Sequence, residues 1–270
     1  MFPQEIIQCY RRRVPVEARS HEFVQSLERG LAVIQSFSED SSRQTLSDVA
    51  RRTGYSRASC RRLLLTLEDL NYVGSDGRDF FLLPHALDIG YSYLSSLPFR
   101  RIVEPFVEEL SSEVKESVSV SVLDEGQVVY VSRVATSRIM TVSISVGNRL
   151  PAYCTSMGRV LLASMTLEDQ RRHLARTPLK ALTKFTLTDE NKILAELAKV
   201  AKQGWAVNDQ ELEEGLRSIA APIVDSSNRT VAAMNISTHV TRTNRRELRE
   251  KMVPALLATT RRVNALLTKR

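Results

Sequence analysis

Cysteine is scarce, and the three residues present, Cys9, Cys60 and Cys154, lie far apart. An odd, scattered set builds neither a disulfide framework nor a zinc spacing. His21, His85, His173 and His239 are scattered too, none within a helical turn of another, so a histidine metal motif is absent. Hence no metal is expected; no cofactor is expected either, and no catalytic residue is assigned. Long apolar runs are also missing. "VVYV" and "VLLASM" fall well short of the roughly 20 apolar residues a membrane span needs. The opening "MFPQEIIQCYRRRVPVE" lacks the apolar stretch and small-residue cleavage site of a secretory signal. No membrane partner is expected, and the expected location is cytoplasmic.

What is present is a chain of 270 residues, 43% hydrophobic and 26% charged, enough for two domains with cores. The net charge of +7 favours an anionic partner such as nucleic acid, but its placement decides more than its size. Residues 241–270 hold nine basic against two acidic side chains, so most of the excess belongs to the C-terminal helix. A separate cluster, five arginines within residues 51–62 and no acid among them, needs its own account.

Residues 1–20, with "RRR" and two prolines, read as a flexible arm. Apolar spacing at Phe23, Leu27, Leu31, Ile34 and Phe37 predicts a first helix. A second, capped by Ser47 with Val49 and Ala50 inward, ends at Gly54. Ser56 caps a third, whose inner side reads Cys60, Leu63, Leu64, Leu67 and Leu70. Strands at Tyr72–Val73 and Phe80–Leu83 flank the turn "GSDGRD". Three helices and a hairpin are the order of a winged helix-turn-helix, assigned to residues 21–83. Residues 84–117 form a helical linker punctuated by Pro98 and Pro105.

From residue 118 the period changes. "SVSVSVLDEGQVVYVSRVATS" alternates around a turn, and "MTVSISVG" predicts a third strand. "TSMGRVLLASM" predicts a helix, Thr166 with Asp169 starts another, and "DENKILAELAKVAKQG" is a third, ending at Gly204. "IAAPIVD" and "TVAAMNIST" form a last hairpin, followed by a helix interrupted near Pro254. The fold class is α+β: the winged helix-turn-helix joined by the linker to residues 118–270, an antiparallel-sheet domain for effector binding and oligomerisation.

In a helix-turn-helix the second helix enters the major groove with its N-terminal residues at base edges. Ser56, Arg57, Ala58, Ser59 and Arg61 occupy that position, and a guanidinium there can pair bidentately with guanine. Arg51, Arg52 and Arg62 suit phosphates, and Arg78 suits a wing contact. The plain alternative is a solvated arginine face. Coincidence of the cluster with helix, glycine turn, helix and wing favours double-stranded DNA as partner.

At "SLERGLAVIQSFSE", "LSDVARRTGYSRASCRRLLLTLEDLNYV" and "GRDFFLLPHALDIGYSYL" the chain resembles the DNA-binding half of IclR-type bacterial transcriptional regulators. The resemblance continues through "ISVGNRLPAYCTSMGRVLLA" and "GWAVNDQELEEGLRSIAAPIVD" to "VAAMNIST", about residues 23–268. "LPAYCTSMGRVLLA" is most similar to the branch controlling aromatic-acid catabolism, the protocatechuate, 4-hydroxybenzoate and β-ketoadipate genes. The resemblance implies a GAF-like effector domain, a homodimer or homotetramer on a palindromic operator, and a small organic acid, aromatic acids among the candidates, as effector.

"LPAYCTSMG" precedes a helix, so backbone N–H groups around Thr155–Gly158 offer an anion site suited to a carboxylate, with small residues allowing close approach. By resemblance the effector pocket maps onto Ser156, Met157, Asn208, Ser218, Asn235 and Ser237. Asn208 stands where some relatives carry Asp, and Asn235 where some carry Ser. Tyr153, Arg149 and Leu123 are further candidates for its wall or mouth. The acids of "DQELEEGLRS" are expected to be solvated. Two alternatives stay open: Cys154 as a nucleophile beside the anion site, for which no histidine is placed, and DNA binding without a ligand.

Overall fold

The computed structural model describes residues 22–136 and 144–268. The expected arm, residues 1–20, and residues 140–143 of the expected third strand lie outside them. The chain divides into two compact units, one running to Ser96 and the other from Leu97. The linker assigned to 84–117 is therefore shared between them.

The first unit holds α1 (Gln25–Ile34), α2 (Leu46–Thr53) and α3 (Arg57–Asp69) over a small sheet. Its core is Val33, Phe37, Val49, Cys60, Leu64, Leu67 and Val73. Thr45, rather than Ser47, caps α2. Its hydroxyl accepts from the Asp48 amide at 3.3 Å while the Asp48 carboxylate accepts from the Thr45 amide at 3.2 Å, a reciprocal capping box. The helix therefore starts two residues before the expected point. Gly54 ends it at φ 74°, a conformation that glycine adopts without steric cost. Four expected core positions are not core: Leu70 lies past the end of α3 and is exposed, as are Phe23, just ahead of α1, and Leu27 and Leu31 on it. The wing is the hairpin of β2 (Val73–Ser75) and β3 (Asp79–Leu82), with β1 (Arg43–Thr45) pairing on the other side of β3. Strand β1 is too short and polar to show any alternation. The unit ends with α4 (Leu87–Ser96).

The second unit starts with α5 (Arg100–Val114), which runs through Pro105 rather than stopping there. Its antiparallel sheet has the order β6-β5-β4-β9-β8-β7. The strands are β4 (Ser117–Asp124), β5 (Gln127–Val134), β6 (Arg149–Pro151), β7 (Ala206–Asp209), β8 (Leu216–Val224) and β9 (Thr230–His239). Glu125 and Gly126, both at positive φ, make the β4–β5 turn a two-residue hairpin. The described part of "MTVSISVG", residues 144–147, is not strand; β6 lies just beyond it. Alternation then builds two cores. Val118, Val120, Met234, Ile236, Ile219 and Ile223 are buried on the face that meets α5 and α9 (Val253–Leu267). The other face carries α6 (Ser156–Ala163), packed on β8 and β9 and backed by α8 (Glu190–Gln203). Between them comes α7 (Leu167–Ala175), capped by Thr166. Ahead of α9, Leu248–Met252 is a π-helical turn, which widens the chain before Pro254, whose ring cannot continue a tight helix from the preceding turn.

Candidate DNA interface and effector cavity

The proposed reading helix is α3. Ser56 caps it, its hydroxyl accepting from the Ser59 amide at 3.2 Å, so Ser56 orients the first turn. Cys60, Leu64 and Leu67 pin the inner side, and Arg57, Ala58, Arg61 and Arg62 are left exposed, with Ser59 half-buried. Arg51 and Arg52 project from the end of α2, where Asp48 holds Arg51 at 2.5 Å. Among the described residues no carboxylate pairs with Arg52, Arg57, Arg61, Arg62 or Arg78. These guanidiniums are thus available to an external anion. Arg78 stands exposed at the wing tip, whose turn is built on Asp76. The Asp79 and Arg78 amides and then the Arg43 guanidinium hold the Asp76 carboxyl down to about 2.

The second site lies where the N-terminus of α6 meets the sheet. Thr155 caps α6, accepting from the Gly158 amide at 3.1 Å, while the amides of Ser156 and Met157 have no place in the intrahelical ladder. Below them the sheet presents small polar side chains where a core would place large apolar ones: Asn208, Ser218, Asn235 and Ser237, all buried. Together with Tyr130, Ile144, Thr155, Ser156, Met157, Leu212 and Leu216 they line a cavity of about 10 Å³. That is about the room of one water, so a larger guest must push the walls apart.

The polar groups meanwhile satisfy one another. Ser156 and Ser218 hydroxyls are 2.9 Å apart, and Asn235 Nδ2 donates to Ser237 Oγ at 3.0 Å. Asn235 Oδ1 accepts from the Ser119 amide at 3.1 Å. Asn208 Nδ2 donates to the Cys154 carbonyl at 2.8 Å, and Asn208 Oδ1 accepts from the Glu211 amide at 3.3 Å. An aspartate could not make that first bond, since an ionised carboxylate only accepts.

Seven of the nine sequence-assigned effector residues thus meet in one cavity: Thr155, Ser156, Met157, Asn208, Ser218, Asn235 and Ser237. Tyr153 and Gly158 do not line it. The Tyr153 ring is buried and its hydroxyl donates to the Lys180 carbonyl at 2.6 Å. A Cβ on Gly158 would meet the Ala152 carbonyl oxygen at 2.1 Å, so this glycine admits the protein's own backbone rather than a ligand. Arg149 and Leu123 also stand elsewhere. Arg149 binds Asp124 and Gln127, and Leu123 packs on the core. The wall residues missed are Tyr130, Ile144, Leu212 and Leu216. Tyr130 did carry a signal, its place in the alternating "VVYVSRV".

The acidic run is solvated only in part: Glu214 is exposed, but two of its four acids are engaged. Glu211 is buried against Arg159, paired at 2.6 Å, and Asp209 binds Arg217 and Arg245. Cys154 is buried, and its thiol is pushed up to about 12, by burial first and by the nearby Glu211 second. It is therefore a protonated, inaccessible thiol, the opposite of what a nucleophile needs. No group of His, Cys, Asp and Glu suited to a metal exists among the described residues, and no described helix is long and apolar enough to cross a membrane.

Known proteins share both halves of this arrangement. The IclR helix-turn-helix domain matches residues 26–77, and the bacterial transcriptional regulator IclR C-terminal domain matches residues 91–265. The chain belongs to the IclR family. This IclR chain is 45% identical over 251 residues to the Pca regulon regulatory protein of Pseudomonas putida, covering 93% of this chain and 86% of that one. A crystal structure of a protein from Rhodococcus sp. RHA1 is 48% identical, with a TM-score of 0.83 over 92% of this chain and 99% of that one. The inducer-binding domain of the PobR transcription factor from Acinetobacter, a double mutant in complex with 3-hydroxybenzoic acid, is 32% identical. It superposes with a TM-score of 0.58, covering 62% of this chain and 97% of that one.

Proposed function

We propose that this IclR protein is a ligand-responsive transcriptional regulator of aromatic-acid catabolic genes. The observation that carries the reading is the closed, polar cavity under α6 in a chain whose other unit exposes unpaired arginines on a helix-turn-helix. A cavity walled by Tyr130, Met157, Leu212 and Leu216, with serine and asparagine amid them, suits a small aromatic ring bearing hydrogen-bonding substituents. The relatives point to the same chemistry: one regulates the Pca regulon, and another holds 3-hydroxybenzoic acid. The effector residues are Thr155, Ser156, Met157, Asn208, Ser218, Asn235 and Ser237. The DNA-contacting residues are Arg57, Ala58, Ser59 and Arg61 at base edges and Arg51, Arg52, Arg62 and Arg78 at phosphates, with Ser56 as the cap that sets the helix.

The working form is a homodimer or a dimer of dimers in the cytoplasm, on a palindromic operator. The exposed Leu27 and Leu31 of α1 and Leu87, Ile89 and Tyr91 of α4 support association, because large apolar side chains left in water favour a partner surface. A ligand that opens the cavity shifts the population of DNA-competent states, and residues 84–117 carry the change. Regulation, not turnover, is the role. Footprinting on DNA upstream of the neighbouring genes, with and without 4-hydroxybenzoate and protocatechuate, tests this. A protected palindrome whose pattern or affinity changes with one acid is expected. Chemical conversion of either acid, or protection indifferent to every aromatic acid, would overturn the reading.

A further inference from the structure

The cavity lining carries no charged residue, yet the proposed effector is an anion. Its countercharge has to come from just outside the lining, and one residue qualifies. Arg133 lies on β5 directly opposite Ser119 of β4, which lies opposite Asn235 of β9, so the three share one face of the sheet. That is the cavity face, since Asn235 lines the cavity. The guanidinium is turned inward across β4, Nη1 donating to Ser119 Oγ at 3.0 Å.

Arg133 is incompletely satisfied there. Its Nε is buried without an acceptor, and no carboxylate pairs with it among the described residues. Residues 137–143, which follow on the chain, read "SRIMTVS" and contain no acid. Burial lowers the pKa of the guanidinium, yet an arginine stays charged in proteins. A half-buried cation lacking a counterion is costly and calls for an anion. A second orphan stands beside it. Ser121, fully buried, is two residues from Ser119 on the same face, opposite Tyr130 on one side and Ala233 on the other. Its hydroxyl has no hydrogen-bond partner.

We infer that Arg133 is the residue that reads the effector's carboxylate, with the Ser121 hydroxyl beside it, and that it selects acids over neutral analogues. This deepens, and rests on, the proposal that an aromatic acid occupies the cavity. A full guanidinium charge outweighs the partial charge at the start of the eight-residue α6, and its flat fork matches a carboxylate in a way an amide pair does not. The ring then lies along Tyr130 and Met157. A phenolic hydroxyl at the far end meets the Ser156–Ser218 and Asn235–Ser237 pairs, which hold both donors and acceptors.

The test is calorimetric titration of the full-length chain with 4-hydroxybenzoate and with its uncharged counterpart 4-hydroxybenzamide. Benzoate and protocatechuate serve as further acids. The parent should bind an acid more tightly than the amide. Arg133→Gln should weaken the acid by about 30-fold or more while moving the amide by less than about threefold, because only the acid loses a buried charge pair. Arg133→Lys keeps the charge and loses the fork, so it should fall between the two. It also decides the matter if Arg133→Gln fails to fold, since an acid affinity equal to the parent's would then contradict the assignment. An equal loss for acid and amide would mark Arg133 as merely structural. Acid binding unchanged in Arg133→Gln would overturn the inference and leave the effector reading standing. A parent that binds none of the acids would overturn both.

Discussion

Under the proposed reading, the arginines of one cluster take different tasks according to where α2 and α3 place them. Arg57 and Arg61 lie near the start of α3, whereas Arg62 flanks it and Arg51 leans on Asp48. Arg57→Ala or Arg61→Ala should relax base preference by about 1–3 kcal/mol at one position of the half-site. Arg62→Ala should weaken operator and scrambled DNA alike and flatten the salt dependence. Competition binding at several salt concentrations separates these outcomes, and identical behaviour of all three variants would sink the assignment. Asp76 yields a pH prediction. Its folded pKa of about 2 lies below the ordinary aspartate value, so its contribution to wing stability is complete above about pH 4 and is lost as pH falls through 2. Melting curves of Asp76→Asn and the parent should differ at pH 6 and converge near pH 2.

Elements depend on short signals at their ends. The cap of α2 is Thr45 because the capping box needs a carboxylate three residues on, and Asp48 stands three residues from Thr45. Thr45→Ala should destabilise the first unit by about 1 kcal/mol in chemical denaturation. Gly158 illustrates a demand that propensity cannot reveal. The turn Ala152–Cys154 packs directly against α6, and a Cβ there would strike backbone. Gly158→Ala should therefore cost several times more than Gly54→Ala, whose added Cβ meets open space and suffers only from its positive φ, about 1–2 kcal/mol. Differential scanning calorimetry on both variants ranks them. The caps Ser56 and Thr166 and the stops at Gly54 and Gly204 were legible from sequence, because each acts within four residues of its target. Strand β1 and the continuation of α5 through Pro105 were not, since tertiary packing outweighs weak local preference there.

At the scale of the molecule, the C-terminal unit is tied together by buried charge as well as by apolar cores. Glu211 accepts two bonds from Arg159 and one from the Leu187 amide, clamping the loop after β7 onto α6 beside the cavity. Glu211→Ala strands a buried cation and should cost about 3–5 kcal/mol in the unfolding of this unit. A bound acid should act oppositely: at a hundred times its dissociation constant it adds about 2.7 kcal/mol, seen as a raised melting temperature of the same transition. Absence of that shift with every acid that alters the footprint would separate the cavity from the regulatory response.

Sequence by itself determined most of the order of elements, the winged helix-turn-helix and the antiparallel second domain, and its family motifs pointed to most of the cavity's polar residues. Periodicity, caps and turns act locally, and the family motifs are dense across nearly the whole chain. Only tertiary structure decided which residues of "DQELEEGLRS" face solvent, that Gly158 serves Ala152, and that Tyr130 closes the cavity while Tyr153 anchors Lys180. Each of these depends on partners dozens of residues away. Such pairings follow from the register of β4, β5 and β9 and the seat of α6 on the sheet, and no short-range pattern encodes them.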